Sequence, residues 1–349
     1  MESCTRGLCD FEFDRETIAR AAAENRLLTM EIEFSLRCNF RCPYCYVPAE
    51  SYLDDELTPD EIRNLLVQAR DLGARRIIIL GGEPSIYPQI REMIDFIQAR
   101  GMDVEMFTNG SGINADFARL LFDRRVRVVV KMNTFDPELQ DRLSGHHGAG
   151  RTIAAAIEHL KQAGYPSPGA FMAVSTIICR QNLDELPRLW CWLRDQGIAP
   201  YFEIITPQAN ALDNRWLEVG TTELQALFER LAAIDKERYG CTWDVQPPLV
   251  GNRCLRHQFS CLVTSKGEVM PCVGVTLPLG SVRRTPLKEI IANSSILKNL
   301  KNYRRTIKGP CRECELADGC YGCRGAAYQL TGDYLASDPL CWRNASKVS

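Results

Sequence analysis

No stretch of this 349-residue chain is apolar enough, for long enough, to cross a bilayer. Its longest apolar runs, such as Ile77-Ile78-Ile79-Leu80, fall far short of the roughly 20 residues that a spanning helix needs. The first residues, Met1-Glu2-Ser3-Cys4-Thr5-Arg6, lack the apolar core of a secretion signal. Neither charge sign prevails: 42 Lys and Arg face 44 Asp and Glu, for a formal net charge of −2. No global field therefore marks the chain as a binder of nucleic acid or of an acidic membrane. These absences leave a cytoplasmic protein of ordinary globular composition, with 45% hydrophobic and 25% charged residues. Its length predicts two or three domains with a substantial core.

The one compositional outlier is cysteine, of which there are sixteen. In a reducing cytoplasm, clustered cysteines bind metal or do chemistry more often than they form disulfides. Three fall within eight residues, at Cys38, Cys42 and Cys45. Eight more lie between Cys254 and Cys341, and the other five are Cys4, Cys9, Cys179, Cys191 and Cys241. The triplet follows an alternating apolar run, Met30–Leu36, that reads as a strand entering a loop. Three thiolates on one loop can grip a soft metal centre and leave a fourth coordination position open. From the triplet alone, a structural zinc site or a fully ligated ferredoxin-type cluster also remains open.

Beyond the triplet the chain alternates between strand and helix. Thr58-Pro59-Asp60-Glu61 has a capping residue, a proline at the first helical position and the Glu of a capping box. Strands are expected over 75–80, 102–108, 126–133, 170–178 and 200–206. Helices are expected over 58–72, 87–100, 113–122, 151–163, 183–196 and 221–238. With the triplet strand as the first, this makes six strand–helix units, which imply a parallel sheet covered by helices. Four unusual segments fall at the C-terminal strand ends: the triplet, Gly81-Gly82-Glu83-Pro84, Thr108-Asn109-Gly110 and Lys131-Met132-Asn133. In barrels of such units that rim is where chemistry gathers.

The Cys-x3-Cys-x2-Cys pattern, with Tyr44 just before its third cysteine, resembles the signature of the radical SAM superfamily. The resemblance implies an α/β fold, a partial (β/α)6 TIM-like barrel. It further implies that Cys38, Cys42 and Cys45 hold a [4Fe-4S] cluster whose fourth iron is chelated by S-adenosylmethionine (SAM). The Gly81-Gly82-Glu83-Pro84 segment matches the superfamily motif that contacts the SAM amino group. Tyr44, Thr108, Asn109, Lys131 and Asn133 are the remaining expected SAM contacts. The chemistry implied is reductive cleavage of SAM to a 5′-deoxyadenosyl radical that abstracts hydrogen from a substrate C–H, with flavodoxin or ferredoxin as reductant. A basic stretch, Lys298, Lys301, Arg304, Arg305 and Lys308, is a candidate dock for that reductant. His146 and His147, in a Gly-rich loop over 144–150, are expected to be exposed.

The segment Ser260–Cys272 reads as a β-hairpin turning on Lys266-Gly267. A two-residue turn there would set Cys261 directly opposite Cys272, about 5 Å apart at Cβ. With Cys311-x2-Cys314-x5-Cys320-x2-Cys323 and Cys341 downstream, the region resembles the SPASM domain. That domain is shared by anaerobic sulfatase maturases and the pyrroloquinoline-quinone and mycofactocin peptide enzymes. The resemblance implies two auxiliary [4Fe-4S] clusters, hence three in all. One would be held by Cys254, Cys261, Cys272 and Cys323, the other by Cys311, Cys314, Cys320 and Cys341. Relatives often space the later pair by three intervening residues, whereas only two separate Cys320 from Cys323. The domains are then a lead-in over 1–28, a barrel over 29–240 and a SPASM domain over 241–349.

The substrate is less legible. Sulfatase-maturing relatives place an Asp base after the hairpin's second cysteine, where this chain has Val273. Valine cannot take a proton, which lowers the sulfatase-maturase reading unless another base, such as Glu203, serves. Only 37 residues precede Cys38, which leaves no room for a leader-peptide-binding domain. Modification of a peptide or protein, as by a maturase, is the leading reading. Oxidation or epimerisation of a small molecule such as an aminocyclitol, with Cys179 or Cys241 as hydrogen donor, is the alternative. A non-enzymatic iron–sulfur electron carrier is the reading from another class.

Overall fold

A computed structural model describes residues 13–48 and 53–345 of the chain. Cys4 and Cys9 lie outside the described residues. Six parallel strands form the frame: β1 (Thr29–Glu33), β2 (Arg76–Leu80), β3 (Asp103–Thr108), β4 (Arg127–Lys131), β5 (Met172–Ile178) and β6 (Ala199–Ile204). Each hydrogen-bonds only to its sequence neighbours within this series, so the six follow one another round the sheet. The helix after β1, Pro59–Asp71, begins at the anticipated capping box, with Thr58 accepting from Glu61 N and Glu61 reaching back to Thr58 N. An unanticipated helix, Pro137–Ser144, follows β4; Asp136 caps it and Gly145, at φ 57°, ends it. Its few apolar positions give a weak periodicity, which is why pattern reading passes over it.

The two faces of the strands differ in kind. Met30, Ile32, Ile77, Ile79, Val104, Met106, Val128 and Val130 pack in the main core. The alternate positions carry Glu31, Arg76, Glu105, Phe107, Tyr201 and Glu203, which line an internal cavity. Strands that read as plain apolar runs therefore alternate, as the pleat requires. Several buried charges on this inner face are paired: Glu105 Oε2 lies 2.7 Å from Arg127 Nε and 3.6 Å from Arg76 Nη1. Arg256, from the C-terminal region, pairs with Glu31 at 2.5 Å. Pairing is what makes burial of such groups tolerable.

The C-terminal hairpin extends the barrel sheet. Its strands are β7 (Leu262–Val263), β8 (Glu268–Met270) and β9 (Gly280–Ser281). Strand β7 runs parallel to β1, with Glu31 paired to Leu262 and Ile32 to Val263. The turn differs from the two-residue form expected. Leu262 pairs with Met270 and Val263 with Val269, and Thr264 N donates to Glu268 O at 2.9 Å. Ser265, Lys266 and Gly267 thus make a three-residue turn, with Gly267 at φ 82° supplying the left-handed position. The register slips by one, so Cys261 and Cys272 are not opposite each other. Because side chains alternate along a strand, a slip of one changes which face a residue meets. Cys261 packs with Val263 in the main core.

Candidate active site and cysteine centres

The triplet loop is held from several sides. Gly82 N donates to Ser35 O and Glu83 N to Arg37 O, each at 2.8 Å. Arg41 N donates to Ser144 O at 3.0 Å, and Asn210 Nδ2 to Cys42 O at 3.2 Å. The paired glycines have a specific use. A Cβ on Gly82 would stand 2.1 Å from Arg37 O, and one on Gly81, at φ 119°, 2.4 Å from Ser35 O. Their missing side chains admit the segment that leads into the triplet. Gly145 serves likewise, since its Cβ would lie 2.1 Å from Arg41 O. His146 stacks on Phe40, with ring centroids 4.9 Å apart, so the 144–150 loop braces the triplet.

Cys38, Cys42 and Cys45 are all part-exposed. Cys38 Sγ accepts from Phe40 N at 3.4 Å and from Asn109 Nδ2 at 3.8 Å. Burial, reinforced by the charge of Cys45, pushes the Cys42 thiol up to about 12. Three thiolates here are therefore costly unless a cation joins them, and a bound iron centre would supply that charge. The donor set fits a cluster.

The rim residues converge on this loop. Glu83 is 3% exposed and its carboxylate is occupied by protein donors. It accepts from Thr108 Oγ1 and Asn109 N at 2.5 Å and from Ser85 N at 2.9 Å. Burial raises its pKa while those bonds lower it, and burial prevails. Asn133 donates through Nδ2 to Tyr44 OH at 2.8 Å. Lys131 Nζ lies 5.2 Å from the Tyr44 ring centroid, 3.1 Å from Ser175 Oγ and 3.4 Å from Glu203 Oε1. Lys131, Ser175 and Glu203 form a polar group just inside the rim. Ser175 escaped the sequence reading because nothing in its strand distinguishes it. Cys179 is enclosed among Leu143, Ile177 and Leu217, and burial raises its thiol pKa. Cys241 lies elsewhere, beside Arg194 and the backbone of Tyr239.

The eight C-terminal cysteines divide unequally. Cys311, Cys314, Cys320 and Cys341 line one small cavity. Cys311 Sγ accepts from Asn344 Nδ2 at 3.1 Å, and Cys320 Sγ from Gly322 N at 3.3 Å. Such N–H···S contacts orient and tune the thiolate ligands of a cluster. Cys254, Cys272 and Cys323 line a second, larger cavity, and Cys261 is not among its lining residues. Burial pushes Cys272 up to about 11. Among the described residues, no group of three His, Cys, Asp or Glu side chains is close enough to hold a single ion. Ligands of a cluster sit on separate iron corners and stand further apart. The basic stretch is partly committed: Lys301 donates to Ala22 O at 3.3 Å, Arg304 pairs with Asp318, and Lys308 with Asp333.

A family profile described as "Radical SAM superfamily" matches residues 32–189, and one described as "Iron-sulfur cluster-binding domain" (SPASM) matches 254–315. A protein named PqqA peptide cyclase, from Streptomyces rochei, is 30% identical over 335 residues, covering 89% of this chain and 88% of the relative. The chain belongs to the radical SAM superfamily. It is an enzyme of that superfamily with a C-terminal SPASM region, which sets aside the electron-carrier alternative. A protein named AdoMet-dependent heme synthase, from Methanosarcina barkeri, is 26% identical over 339 residues, covering 88% of this chain and 94% of the relative. Among solved structures, Streptococcus suis SuiB bound to S-adenosylmethionine matches with a TM-score of 0.71 at 16% identity, covering 94% of this chain and 81% of SuiB. The structure of native anSMEcpe with bound AdoMet matches at 0.69 and 14% identity, covering 89% of this chain and 93% of anSMEcpe. These two likenesses establish the barrel fold. Membership carries SAM binding and iron–sulfur ligation with it. Among the described residues, no helix is long and apolar enough to cross a membrane.

Proposed function

We propose that this enzyme modifies a side chain of a peptide or protein, drawing on SAM and three [4Fe-4S] clusters. The observation that carries the reading is one cavity of about 240 Å³. Its wall includes Leu80 and Glu203 at the active rim, and also Cys254, Cys272 and Cys323. It is smaller than the ~300–1,000 Å³ pockets that enclose drug-sized ligands, and suits a single side chain offered by a longer chain. The peptide named in the relative at 30% identity supports the same class of substrate.

Cys38, Cys42 and Cys45 hold the cluster that receives SAM. Bound there, SAM supplies hydrogen-abstraction chemistry. Tyr44 and Lys131 flank its site, Thr108, Asn109 and Asn133 complete the rim, and Gly81, Gly82 and Glu83 fix the loop geometry. Glu203 faces the cavity that Val273 also lines, and there it takes the substrate proton in place of the missing Asp. Lys131 Nζ lies 3.4 Å from its Oε1. Cys179 does not line the cavity, which weighs against epimerisation. Cys311, Cys314, Cys320 and Cys341 hold one auxiliary cluster. Cys254, Cys272 and Cys323 would contribute to the other, which when bound would supply a site for an electron. Lys298 and Arg305 remain as the exposed cations of a flavodoxin or ferredoxin dock.

The test is anaerobic. The reconstituted protein, reduced with dithionite and given SAM, is incubated with short peptides encoded beside its gene and with aminocyclitols. Formation of 5′-deoxyadenosine with a mass change in a peptide is expected. Turnover of an aminocyclitol with every peptide unchanged would overturn the peptide reading.

A further inference from the structure

A buried carboxyl and a buried guanidinium lie beside the C-terminal cysteine centres and have no place in the reading so far; burial raises the Asp338 carboxyl pKa, and the Cys323 N–H and Arg324 work against that rise. Asp338 is 0% exposed and Arg324 is 1% exposed. Asp338 touches ligands of both centres. Its Oδ2 accepts from Cys323 N at 2.7 Å, and its own N donates to Cys311 Sγ at 3.4 Å. Cys323 lines the larger cavity and Cys311 the smaller. Asn344 completes the contact by donating to Asp338 O at 2.9 Å and to Cys311 Sγ at 3.1 Å.

Arg324 follows Cys323 directly and is the first residue of the helix Arg324–Thr331. Its Nη1 donates to Tyr334 O at 3.1 Å and Ala336 O at 2.6 Å. Its Nε and Nη2 are buried without a hydrogen-bond partner among the described residues. A fully buried guanidinium with two unused donors is costly unless an anion faces it. Gly322 locates that face. A Cβ there would stand 2.9 Å from Arg324 Nη2, 2.7 Å from Asp338 Cβ and 3.3 Å from Cys311 Sγ. Arg324, Asp338 and the Cys311 thiol thus meet around one residue that only glycine can fill.

We propose that Arg324 and Asp338 form a buried charge bridge between the two auxiliary centres. Arg324 holds the reduction potential up, and Asp338 ties the two ligand loops together. The inference rests on the reading that two auxiliary clusters are present. Each cluster gains one electron and no proton when reduced, so its net charge falls by one. A fixed positive charge beside it in a poorly screened interior stabilises the reduced form. A fixed negative charge does the reverse. The helix N-terminus at Cys323, whose Sγ accepts from Ala326 N at 3.3 Å, adds to the Arg324 effect. Both residues are positioning residues: neither lines the triplet site.

The experiment is an anaerobic redox titration of the reconstituted full chain, followed by electron paramagnetic resonance. Arg324→Met is expected to lower the potential of at least one auxiliary cluster by about 59 mV, a tenfold change in its one-electron reduction equilibrium. Arg324→Lys, which keeps the charge, is expected to stay near the unaltered protein. Asp338→Asn is expected to shift the same cluster upward. The triplet cluster serves as an internal control whose potential stays put. Unmoved auxiliary potentials in Arg324→Met and Asp338→Asn would overturn the bridge while leaving the clusters intact. If Arg324→Met fails to load its clusters, the direction of the Asp338→Asn shift decides. Loss of the auxiliary signals in both variants would assign the pair a purely structural role. Absence of those signals in the unaltered protein would remove the cluster reading itself, and the bridge with it.

Discussion

The triplet and the C-terminal cysteines reach similar ends by opposite constructions. Cys38, Cys42 and Cys45 are neighbours in sequence, and their thiols are brought together by one loop. What needs building is the shape of that loop, and Gly81, Gly82, Gly145 and Asn210 provide it from distant turns and helix ends. The C-terminal cysteines come from points as far apart as Cys254 and Cys341, and only the fold brings seven of them to two cavities. The triplet thiols are part-exposed, as a site that admits a second molecule must be. Of the C-terminal cysteines, Cys261, Cys272, Cys311 and Cys341 are buried, while Cys254, Cys314, Cys320 and Cys323 are part-exposed like the triplet. A local site therefore depends on backbone that cannot tolerate a side chain, and a dispersed one depends on register and buried charge.

Removing a thiol from the local site should have the largest effect. Cys42→Ala is expected to abolish 5′-deoxyadenosine formation and to lower bound iron by about a third, since each cluster holds four irons. Iron analysis and chromatography of the SAM products check it; product at the unaltered rate would break the assignment. Gly82→Ala comes next, because its Cβ must displace Arg37 O. We expect SAM cleavage to fall by roughly 10–100-fold, the usual scale for groups that support metal ligands. Kinetics at equal iron loading would show it, and an unchanged rate would mean the loop is not fixed by this contact.

Within the dispersed site, Cys254→Ala should lose about four irons and Cys261→Ala none, because Cys261 sits in the core. Equal loss from both would restore Cys261 as a ligand and show that the hairpin register changes when the cluster binds. The smallest effect belongs to the tie between the two regions. Arg283 reaches back to Glu61 at 2.9 Å, and that contact holds the Glu61 carboxyl down at about 2. A lowered carboxyl pKa stabilises the fold above the unfolded value and is lost as pH falls toward 2. The pair is largely exposed, so Arg283→Ala is expected to cost under about 1 kcal/mol in thermal denaturation at pH 7. The difference from the unaltered protein should shrink between about pH 4.5 and 2; a gap that persists at low pH would rule out the ion pair as its cause.

Several features were fully legible in the order of residues. The triplet spacing, the capping box at Thr58 and the six strand–helix units all rest on local chemistry, which needs only neighbours in sequence to act. The four cysteines Cys311, Cys314, Cys320 and Cys341 were grouped by motif, and the fold gathers them into one cavity. Other features depended on the third dimension. Gly82 pressing on Arg37, Ser175 joining Lys131 and Glu203, and Arg324 left with unused donors each bring together residues that no periodicity links. The hairpin register was settled by one left-handed glycine, whose extra turn residue sent Cys261 into the core. Sequence alone determined which atoms could bind iron, because that is a property of the side chain. Tertiary structure decided which of them meet, because a slip of one residue or one added Cβ costs more than any local preference can recover.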